Sequence, residues 1–293
     1  MCLTDERPPR VRRVARLSVS EVETIIAGVT SLGDRIYVVC RESNVIAVFT
    51  SHQPFRRLQD IVVHGLLNPA DIAASANTGC LYVLELLSGS VWRVNVDSGA
   101  VVKWLSGVRA RAVSVTSEGR IVVVVLIDYQ RDDDGRQTTW RGEFHVCSPE
   151  AVTEAIVKLS PDITSPRSVV MTTRKTFVVS HGSIWHVMHR VCEVDMTGRV
   201  LKSFGSTSGN GVGQLHLPVC VSLDDKERVI VADFFNNRVV LLNKQLASPR
   251  VLAKRRPQSH DDTRGPWTVH YDSHTGSLLV GLTSGHIDIY KLN

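Results

Sequence analysis

Histidines supply the first candidate for chemistry in this chain. The segment HGSIWHVMHR carries His181, His186 and His189, and imidazole nitrogens are common ligands of zinc and other transition metals. Spacings of five and three residues would bring the rings together only if the segment formed a helix. We interpret it instead as a loop between two β-strands, in which the side chains need not converge. We therefore predict no metal site here, and we expect Trp185 to belong to a packed or partner-facing surface.

A glycine-rich stretch, FGSTSGNGVGQLHLPVCVSL at residues 204–223, is the second candidate. Backbone N–H groups of such a loop can hold a phosphate when a helix begins directly after it. Here the loop is followed by LPVCVSL, an apolar, β-branched run that is typical of a strand opened by Pro218. We therefore predict that the glycines supply the positive φ angles of a crossover between strands. They are Gly205, Gly209, Gly211 and Gly213.

Nucleophilic catalysis and thiol chemistry have little support in the sequence. No Gly-x-Ser-x-Gly motif is present, and the isolated serines and histidines cannot be assembled into a triad from their spacing. The six cysteines lie far apart, without the short pairs of a zinc site or RING domain and without the density of a disulfide scaffold. We expect reduced, buried thiols, and we predict no cofactor.

Composition narrows the class of protein. With 43% hydrophobic and 22% charged residues over 293 positions, the chain has the composition of a fully folded globular protein. No apolar run approaches the roughly 20 residues that span a bilayer, and the N-terminal residues lack the apolar stretch of a secretory signal. We therefore expect a cytoplasmic protein that does not associate with membranes.

A recurrence of short β-branched runs defines the scaffold that must position any site. Six runs start at residues 35, 80, 120, 176, 228 and 277, so successive starts lie 45, 40, 56, 52 and 49 residues apart. This period is typical of propeller blades rather than of helical solenoids. A strand precedes each run, often opened by proline, and two further strands follow it. The runs are RIYVV (35–39), CLYVL (80–84), RIVVV (120–124), TFVVS (176–180), RVIVA (228–232) and SLLVG (277–281).

These units predict an all-β, six-bladed β-propeller of four-stranded antiparallel blades. The sixth unit stops at its third strand near Asn293, whereas the strand VRRVARLS at 11–18 stands alone before the first unit. Pairing this strand with the last blade would close the ring and leave no exposed edge. We expect a tail at 1–10 and one domain over 11–293. Only 149–156 has the pattern of a helical turn, and it could equally be a strand linker.

The best-formed unit also resembles a known repeat. Residues 204–243 follow the NHL pattern of Phe-Gly, a glycine-rich turn, Gly-Gln-Leu, Pro, an apolar strand, Val-Ala-Asp and Asn-Asn-Arg-Val. The other units match more loosely or mainly by period. The resemblance implies a propeller similar to the NHL domains of tripartite-motif proteins, without their RING, B-box or coiled coil. The motif residues, to which we assign structural roles, are Gly205, Gly211, Gly213, Pro218, Asp233, Asn236 and Asn237.

The polar residues of this motif have specific expected roles. Asp233 ends a strand and is expected to accept backbone N–H bonds from the turn that follows. Asn236 and Asn237 tolerate the left-handed conformation that tight turns require. We expect Arg238 to fold back towards Asp233 or towards a neighbouring blade.

Proteins with propellers related to the NHL repeat fall into three functional classes. Amidating lyases and calcium-dependent lactonases are metal-dependent enzymes, some NHL domains bind single-stranded RNA, and others bind proteins, in some cases as the substrate-recognition module beside a ubiquitin ligase. A lactonase-like calcium cage would need oxygen ligands at the ends of the second strands. The residues there are Cys40, Glu85, Asp128, His181, Asp233 and Leu282, a mixed set that does not make such a cage.

Charge placement favours binding over catalysis. The formal net charge is +5, and the loops that join the second strand to the third and each blade to the next share one face of a propeller, which we call the upper face. Two long loops on it, 128–139 and 254–265, mix both signs, which favours a protein partner over single-stranded RNA. We expect a monomeric, non-catalytic scaffold or recognition module. Its candidate binding residues are Arg41, Arg109, Arg111, Arg131, Arg136, Arg167, His181, Trp185, Arg238, Lys254, Arg255, Arg256 and Arg264.

Overall fold

Six four-stranded antiparallel sheets succeed one another along the chain, and each forms one blade of a β-propeller. The computed structural model describes residues 11–20, 22–131, 137–184, 188–255 and 265–292. The first strand of every blade contacts the first strand of the next, and the last blade contacts the first, so these inner strands complete a ring. The predicted fold class is therefore confirmed. The predicted tail at 1–10 and most of the predicted loop at 254–265 lie outside the described residues.

The strands are numbered in chain order. Blade 1 contains β2 (Ile26–Leu32), β3 (Arg35–Cys40), β4 (Val45–Thr50) and β5 (Ile61–Val62), and blade 2 contains β6 (Pro69–Ser75), β7 (Cys80–Glu85), β8 (Val91–Asn95) and β9 (Val101–Leu105). Blade 3 contains β10 (Ala110–Val115), β11 (Ile121–Arg131), β12 (Gln137–Cys147) and β13 (Thr153–Lys158), and blade 4 contains β14 (Pro166–Met171), β15 (Phe177–His181), β16 (Met188–Val194) and β17 (Val200–Thr207). Blade 5 contains β18 (Pro218–Leu223), β19 (Val229–Asp233), β20 (Arg238–Leu242) and β21 (Arg250–Lys254), and blade 6 contains β22 (Pro266–Asp272), β23 (Ser277–Leu282), β24 (His286–Leu292) and β1 (Val11–Ser18).

The ring closes through β1, as predicted. This strand pairs antiparallel with β24 and becomes the outer strand of blade 6. Arg16 on β1 forms a two-point ion pair with Asp288 on β24, with Nε to Oδ1 at 2.6 Å and Nη2 to Oδ2 at 2.7 Å. The Asp288 side chain is 2% exposed and that of Arg16 is 37% exposed, so this pair joins β1 to β24 through a buried carboxylate and a partly solvated arginine.

The apolar core lies between neighbouring blades rather than at one centre. Along β11, Val123 packs in a cluster with Tyr82 of blade 2, whereas Val122 packs in a cluster with Phe177 of blade 4. Both faces of the strand are therefore buried. This explains why the second strand of each blade reads as a continuous β-branched run instead of alternating with polar residues.

The structure corrects one prediction about blade 3 and decides between two alternatives that the sequence left open. The predicted loop at 128–139 is largely a continuation of the hairpin, because β11 and β12 remain paired as far as Arg131 and Gln137. The segment 149–156 forms no helical turn, and β13 begins within it at Thr153. Within the described ranges, no helix is long and apolar enough to cross a membrane.

The glycines of the NHL-like unit fall into two groups. Gly205 and Gly213 have the predicted positive φ values, 100° and 82°. Gly205 lies within β17, however, and not in the crossover. Gly209 and Gly211 do not have positive φ. A Cβ there would lie 2.3 Å and 2.8 Å from Oε1 of Gln214, the end of a flexible side chain that can move aside. The predicted backbone role was therefore wrong for these two glycines.

The strand-end motif is organised around Asp233. Its carboxylate accepts hydrogen bonds from the His216 N–H (2.6 Å), the Asn236 amide (2.8 Å) and Arg238 Nε (2.6 Å), so its backbone partner precedes β18 and does not belong to the turn. Asn237 has the predicted left-handed conformation, with φ of 51°. Asn236 does not, because it lies in a 3₁₀ turn at Phe234–Asn236 and uses its amide for side-chain bonds.

Proline opens four inner strands, as the sequence predicts. Pro69, Pro166, Pro218 and Pro266 are the first residues of β6, β14, β18 and β22. The position suits proline, because the ladder does not yet require an N–H donor there. These prolines therefore mark where the chain enters the wall of the central channel.

Candidate functional site

Six β-bulges shape the upper end of the central channel. In every blade, the pairing of the first two strands shifts at the second residue of the inner strand. The extra residue at each shift does not follow the regular alternation of side chains between the two faces of the sheet. Bulges commonly redirect side chains in this way beside binding sites. All six of these residues line one cavity. They are Ala27, Ala70, Arg111, Arg167, Val219 and Trp267.

The cavity, which we call the channel mouth, is lined mainly by polar and cationic groups. It contains about 390 Å³ of empty space, part of which opens to solvent. Arg111 and Arg167 reach it from the bulges of blades 3 and 4, and Arg41 reaches it from the residue directly after β3. The remaining polar lining residues are Asp71, Ser168, Cys220 and Thr268.

The three arginines are held by few contacts. The Cζ atom of Arg41 lies 5.1 Å from the centre of the Trp267 ring, a cation–π arrangement. Nε of Arg167 donates a hydrogen bond to the carbonyl oxygen of Gly182 at 2.8 Å. In the part of the chain that the structure describes, the buried Nε of Arg41 has no partner, and the guanidinium of Arg111 makes no hydrogen bond.

Burial and mutual repulsion make this cluster electrostatically unfavourable. Burial lowers the pKa of Arg41. Burial also lowers the pKa of Arg111, and the nearby charge of Arg41 lowers it further. For Arg167, burial together with the charges of the other two lowers the pKa to about 9. All three side chains still carry their charge at neutral pH, in a place where each charge raises the energy of the others.

Asp71 is the acidic residue of the mouth, and its oxygens are already engaged. Oδ2 accepts the Val113 N–H of the next blade at 3.0 Å, and Oδ1 accepts the Ile72 N–H at 2.9 Å. The equivalent Ser168 Oγ and Cys220 Sγ also accept backbone N–H bonds from the following blade. Burial raises the Asp71 pKa to about 7, although these hydrogen bonds and Arg111 oppose the rise. Asp71 therefore links blades and only partly offsets the arginine charges.

Exposed apolar side chains lie on the upper face, outside the lining of the mouth. Val212 in the crossover from blade 4 to blade 5 is 98% exposed, and Leu87 in the turn after β7 is 73% exposed. On the connections of the opposite face, the described large apolar residues that are exposed are Leu58, Val152 and Met196. The upper-face set is larger: Val22, Leu67, Leu87, Ile127, Ile184, Val212 and Phe235.

The other predicted binding residues are dispersed. Arg109 is exposed beside the mouth, with its Cζ 5.2 Å from the centre of the Trp140 ring, and Lys254 is exposed at the end of β21. Arg255 is partly buried, and its N–H donates to the Asn237 oxygen. Arg136, Trp185, Arg256 and Arg264 lie outside the described residues, as does the side chain of Arg131.

Two predicted binding residues are instead internal. Arg238 bonds to Asp233, as expected, and its Nη2 also donates to the Gln214 oxygen at 2.7 Å, so its charge is neutralised within the blade. His181 is fully buried in β15, within hydrogen-bonding distance of Arg190 and Cys192, so it belongs neither to a loop nor to an exposed surface. A strand that is buried on both faces leaves no exposed position for this ring.

The other histidine of this segment that the structure describes is also an internal residue. His189 lies in β16, and its ring contacts the Ser183 carbonyl and the Leu217 N–H. Among the residues that the structure places, no group of three or more His, Cys, Asp or Glu residues could hold a metal ion. His186 lies outside the described residues.

Sequence reasoning did not identify Trp267 or Asp71 as residues of the mouth. The sequence does contain a pattern that predicts Trp267. The residue after a strand-opening proline is the bulge residue, as in Pro166-Arg167 and Pro266-Trp267. The residue after the bulge then points to the next blade, which is where Asp71 lies. Reading these two positions in every repeat would have predicted most of the lining.

The fold defines the class of protein as a six-bladed β-propeller. The chain is structurally similar to virginiamycin B lyase from Staphylococcus aureus, with a TM-score of 0.64 and 10% identity over 97% of this chain and 100% of the lyase chain. A catalytically inactive variant of that lyase with quinupristin has a TM-score of 0.63 and 10% identity over the same shares. The WD40 β-propeller domain of Doa1 has a TM-score of 0.61 and 10% identity, over 97% of this chain and 98% of that domain.

These similarities establish the fold alone. No protein-family model matches the chain, and no curated protein matches it by sequence. A lyase and a WD40 domain share the architecture, so it is compatible with an interaction module but does not distinguish binding from catalysis.

Proposed function

We propose that this chain is a non-catalytic interaction module of the NHL type that binds a protein partner through its upper face. The observation that carries the proposal is the composition of this face, which combines exposed apolar side chains with an arginine-lined mouth. Apolar patches with a polar rim or centre are typical of surfaces that bind other proteins. Arginine is enriched at the energetic centres of such interfaces.

The mouth is also suited to binding because it is built on rigid elements. Arg111 and Arg167 project from strands of the central ring, and Arg41 directly follows a strand. Their backbones are fixed by the sheets, so little conformational freedom is lost when a partner binds.

A protein partner fits the surrounding surface better than single-stranded RNA does. RNA recognition usually depends on aromatic platforms on which bases stack. Of the exposed large apolar residues on the described part of the upper face, six are aliphatic and only Phe235 is aromatic. Aliphatic side chains such as Leu87 and Val212 suit apolar contacts with a polypeptide.

The proposal is tested by two variants with equal numbers of substitutions. The first introduces Leu87→Asp and Val212→Asp on the upper face, and the control introduces Val152→Asp and Met196→Asp on the opposite face. All four positions are exposed, so both variants should fold. Proteins that crosslink to the chain in cells are identified by quantitative mass spectrometry, with and without ribonuclease.

We expect a set of proteins that resists ribonuclease, is retained by the control and is lost from the upper-face variant. Loss on ribonuclease treatment would support RNA binding instead. Loss from the opposite-face variant alone would place the interface on the wrong side of the propeller and contradict the proposal.

A further inference from the structure

The channel mouth carries more positive charge than its own residues neutralise. Arg41, Arg111 and Arg167 contribute three cations, whereas Asp71 is the one carboxylate among its described lining residues. The excess is therefore about two charges when Asp71 is ionised, and about three when it is protonated. Four bulge residues, including Ala27 and Ala70, bring no compensating charge.

No direct contact within the described chain compensates this excess. The two oxygens of Asp71 are occupied by backbone N–H groups, and the arginines interact with it and with one another through space rather than through hydrogen bonds. Nε of Arg41 is buried without a partner. Buried polar groups nearly always have a hydrogen-bond partner, so the unused donors of these cations are available to an anion that enters the mouth.

We propose that the channel mouth binds the phosphate group of a phosphorylated side chain on the protein partner, and that Arg41, Arg111 and Arg167 hold its oxygens. The inference rests on the proposed function, because the partner supplies the polypeptide that carries the phosphate. It adds the chemical identity of the group that enters the mouth.

Charge and geometry favour a phosphate monoester over other anions. A phosphorylated serine or threonine carries a charge of about −1.5 to −2 at pH 7 and presents three free oxygens, which matches three guanidinium groups. A carboxylate or an internal phosphodiester of RNA brings one charge and two free oxygens. Guanidinium groups are also well suited to phosphate, because their donors form a rigid fork.

The surroundings orient the site before a ligand arrives. The Trp267 ring supports the guanidinium of Arg41 by a cation–π contact, and the Gly182 carbonyl fixes Nε of Arg167. The alanines at the bulges of blades 1 and 2 leave that side of the mouth free of large side chains. The main chain of the partner would remain outside, against the exposed apolar residues of the upper face.

The test measures binding of small anions to the whole chain by calorimetry at constant ionic strength. The probes are O-phosphoserine and inorganic phosphate, with dimethyl phosphate and acetate as singly charged controls. A ten-nucleotide single-stranded RNA without terminal phosphates tests nucleic acid. We expect O-phosphoserine to bind at least about tenfold more tightly than dimethyl phosphate, since it adds a charge and an oxygen.

Variants then localise the binding. Arg111→Met should weaken O-phosphoserine binding about tenfold to a hundredfold, which is the usual effect of removing a charged hydrogen-bond partner. Arg56→Met, at an exposed arginine in the β4–β5 connection of the opposite face and outside the lining, is the matched control and should leave affinity unchanged. Arg111→Met should also unfold at the same or a higher temperature than the wild type, because it removes a repelled charge that has no hydrogen bond.

Each alternative outcome contradicts the inference in a distinct way. Absence of phosphomonoester binding by the wild type would overturn it while leaving partner capture through the upper face intact. Tighter binding of the RNA, lost in Arg111→Met, would assign the mouth to nucleic acid. A large drop in the unfolding temperature of Arg111→Met would assign this arginine a structural role.

Discussion

Replacement of Arg238 by glutamine tests the structural role of the most regular repeat. Arg238 Nε donates to Asp233 Oδ2 at 2.6 Å, and the two side chains are 14% and 0% exposed. Removing one partner of a buried ion pair costs about 3–5 kcal/mol, because the other charge stays buried without compensation. Asp233 keeps bonds from the His216 N–H and the Asn236 amide, so we expect a loss of about 3 kcal/mol, at the lower end of that range.

The assay is equilibrium unfolding in guanidinium chloride, followed by tryptophan fluorescence. The loss should be smaller in the double variant Arg238→Gln with Asp233→Asn, because no unpaired carboxylate then remains. If the single variant loses less than about 1 kcal/mol, the pair behaves as a surface ion pair and the assigned role of Arg238 is wrong.

The loss should also depend on pH. Burial raises the pKa of Asp233, and Arg238 is one of the groups that oppose this rise. Removing Arg238 raises the pKa of the folded carboxyl group further above its unfolded value. A carboxyl with a raised folded pKa favours the folded state at low pH and loses that contribution as pH increases. The deficit of Arg238→Gln should therefore be largest at neutral pH and shrink on acidification, whereas a pH-independent deficit would exclude this cause.

Two further predictions concern ring closure and the thiols. Arg16→Met should lower the free energy of unfolding by about 2 kcal/mol, because Asp288 stays buried and its remaining ion pair, with Arg13, is longer, at 3.6 Å. Arg12→Met, at an exposed residue of the same strand that lies opposite Lys291, should change it by less than about 0.5 kcal/mol, and equal losses would contradict the role of the pair. Burial raises the pKa of Cys40 to about 11 and that of Cys192 to about 12. Neither thiol should therefore react with iodoacetamide at pH 8 until the chain unfolds. Labelling of either cysteine in the folded protein, measured by mass spectrometry, would contradict this prediction.

Most of the fold could be predicted from the sequence because its signals repeat. A β-branched run buried between two blades recurs six times, and proline marks the start of four inner strands. The strand at 11–18 belongs to no other unit, and the sixth unit lacked a fourth strand, so their pairing could be predicted. The long hairpin of blade 3 was missed because its polar, charged continuation, DYQR, lacks the apolar pattern of a packed strand.

The site could be predicted only in part. Sequence position placed Arg41, Arg111 and Arg167 on the upper face as candidate binding residues. It made the same prediction for Arg238, which the structure shows to be paired within its own blade. The difference lies in tertiary partners: a carboxylate in its own blade neutralises Arg238, whereas bulges direct Arg111 and Arg167 into a shared cavity. A bulge depends on the pairing of two strands, and residue spacing alone does not reveal it.

The way the ring closes has a consequence for synthesis of the protein. The residues of β1 leave the ribosome before those of blades 1 to 5, and their partner β24 is made nearly 270 positions after β1, counted from Ser18 to His286. Blades 1 to 5 each consist of consecutive strands and can fold in order as the chain emerges. Throughout that time β1 has no partner, and an unpaired strand edge can associate with other chains. β1 must therefore remain available for pairing until β24 has been made. A chain cut short before β24 would leave both β1 and the edge of β23 without a partner strand.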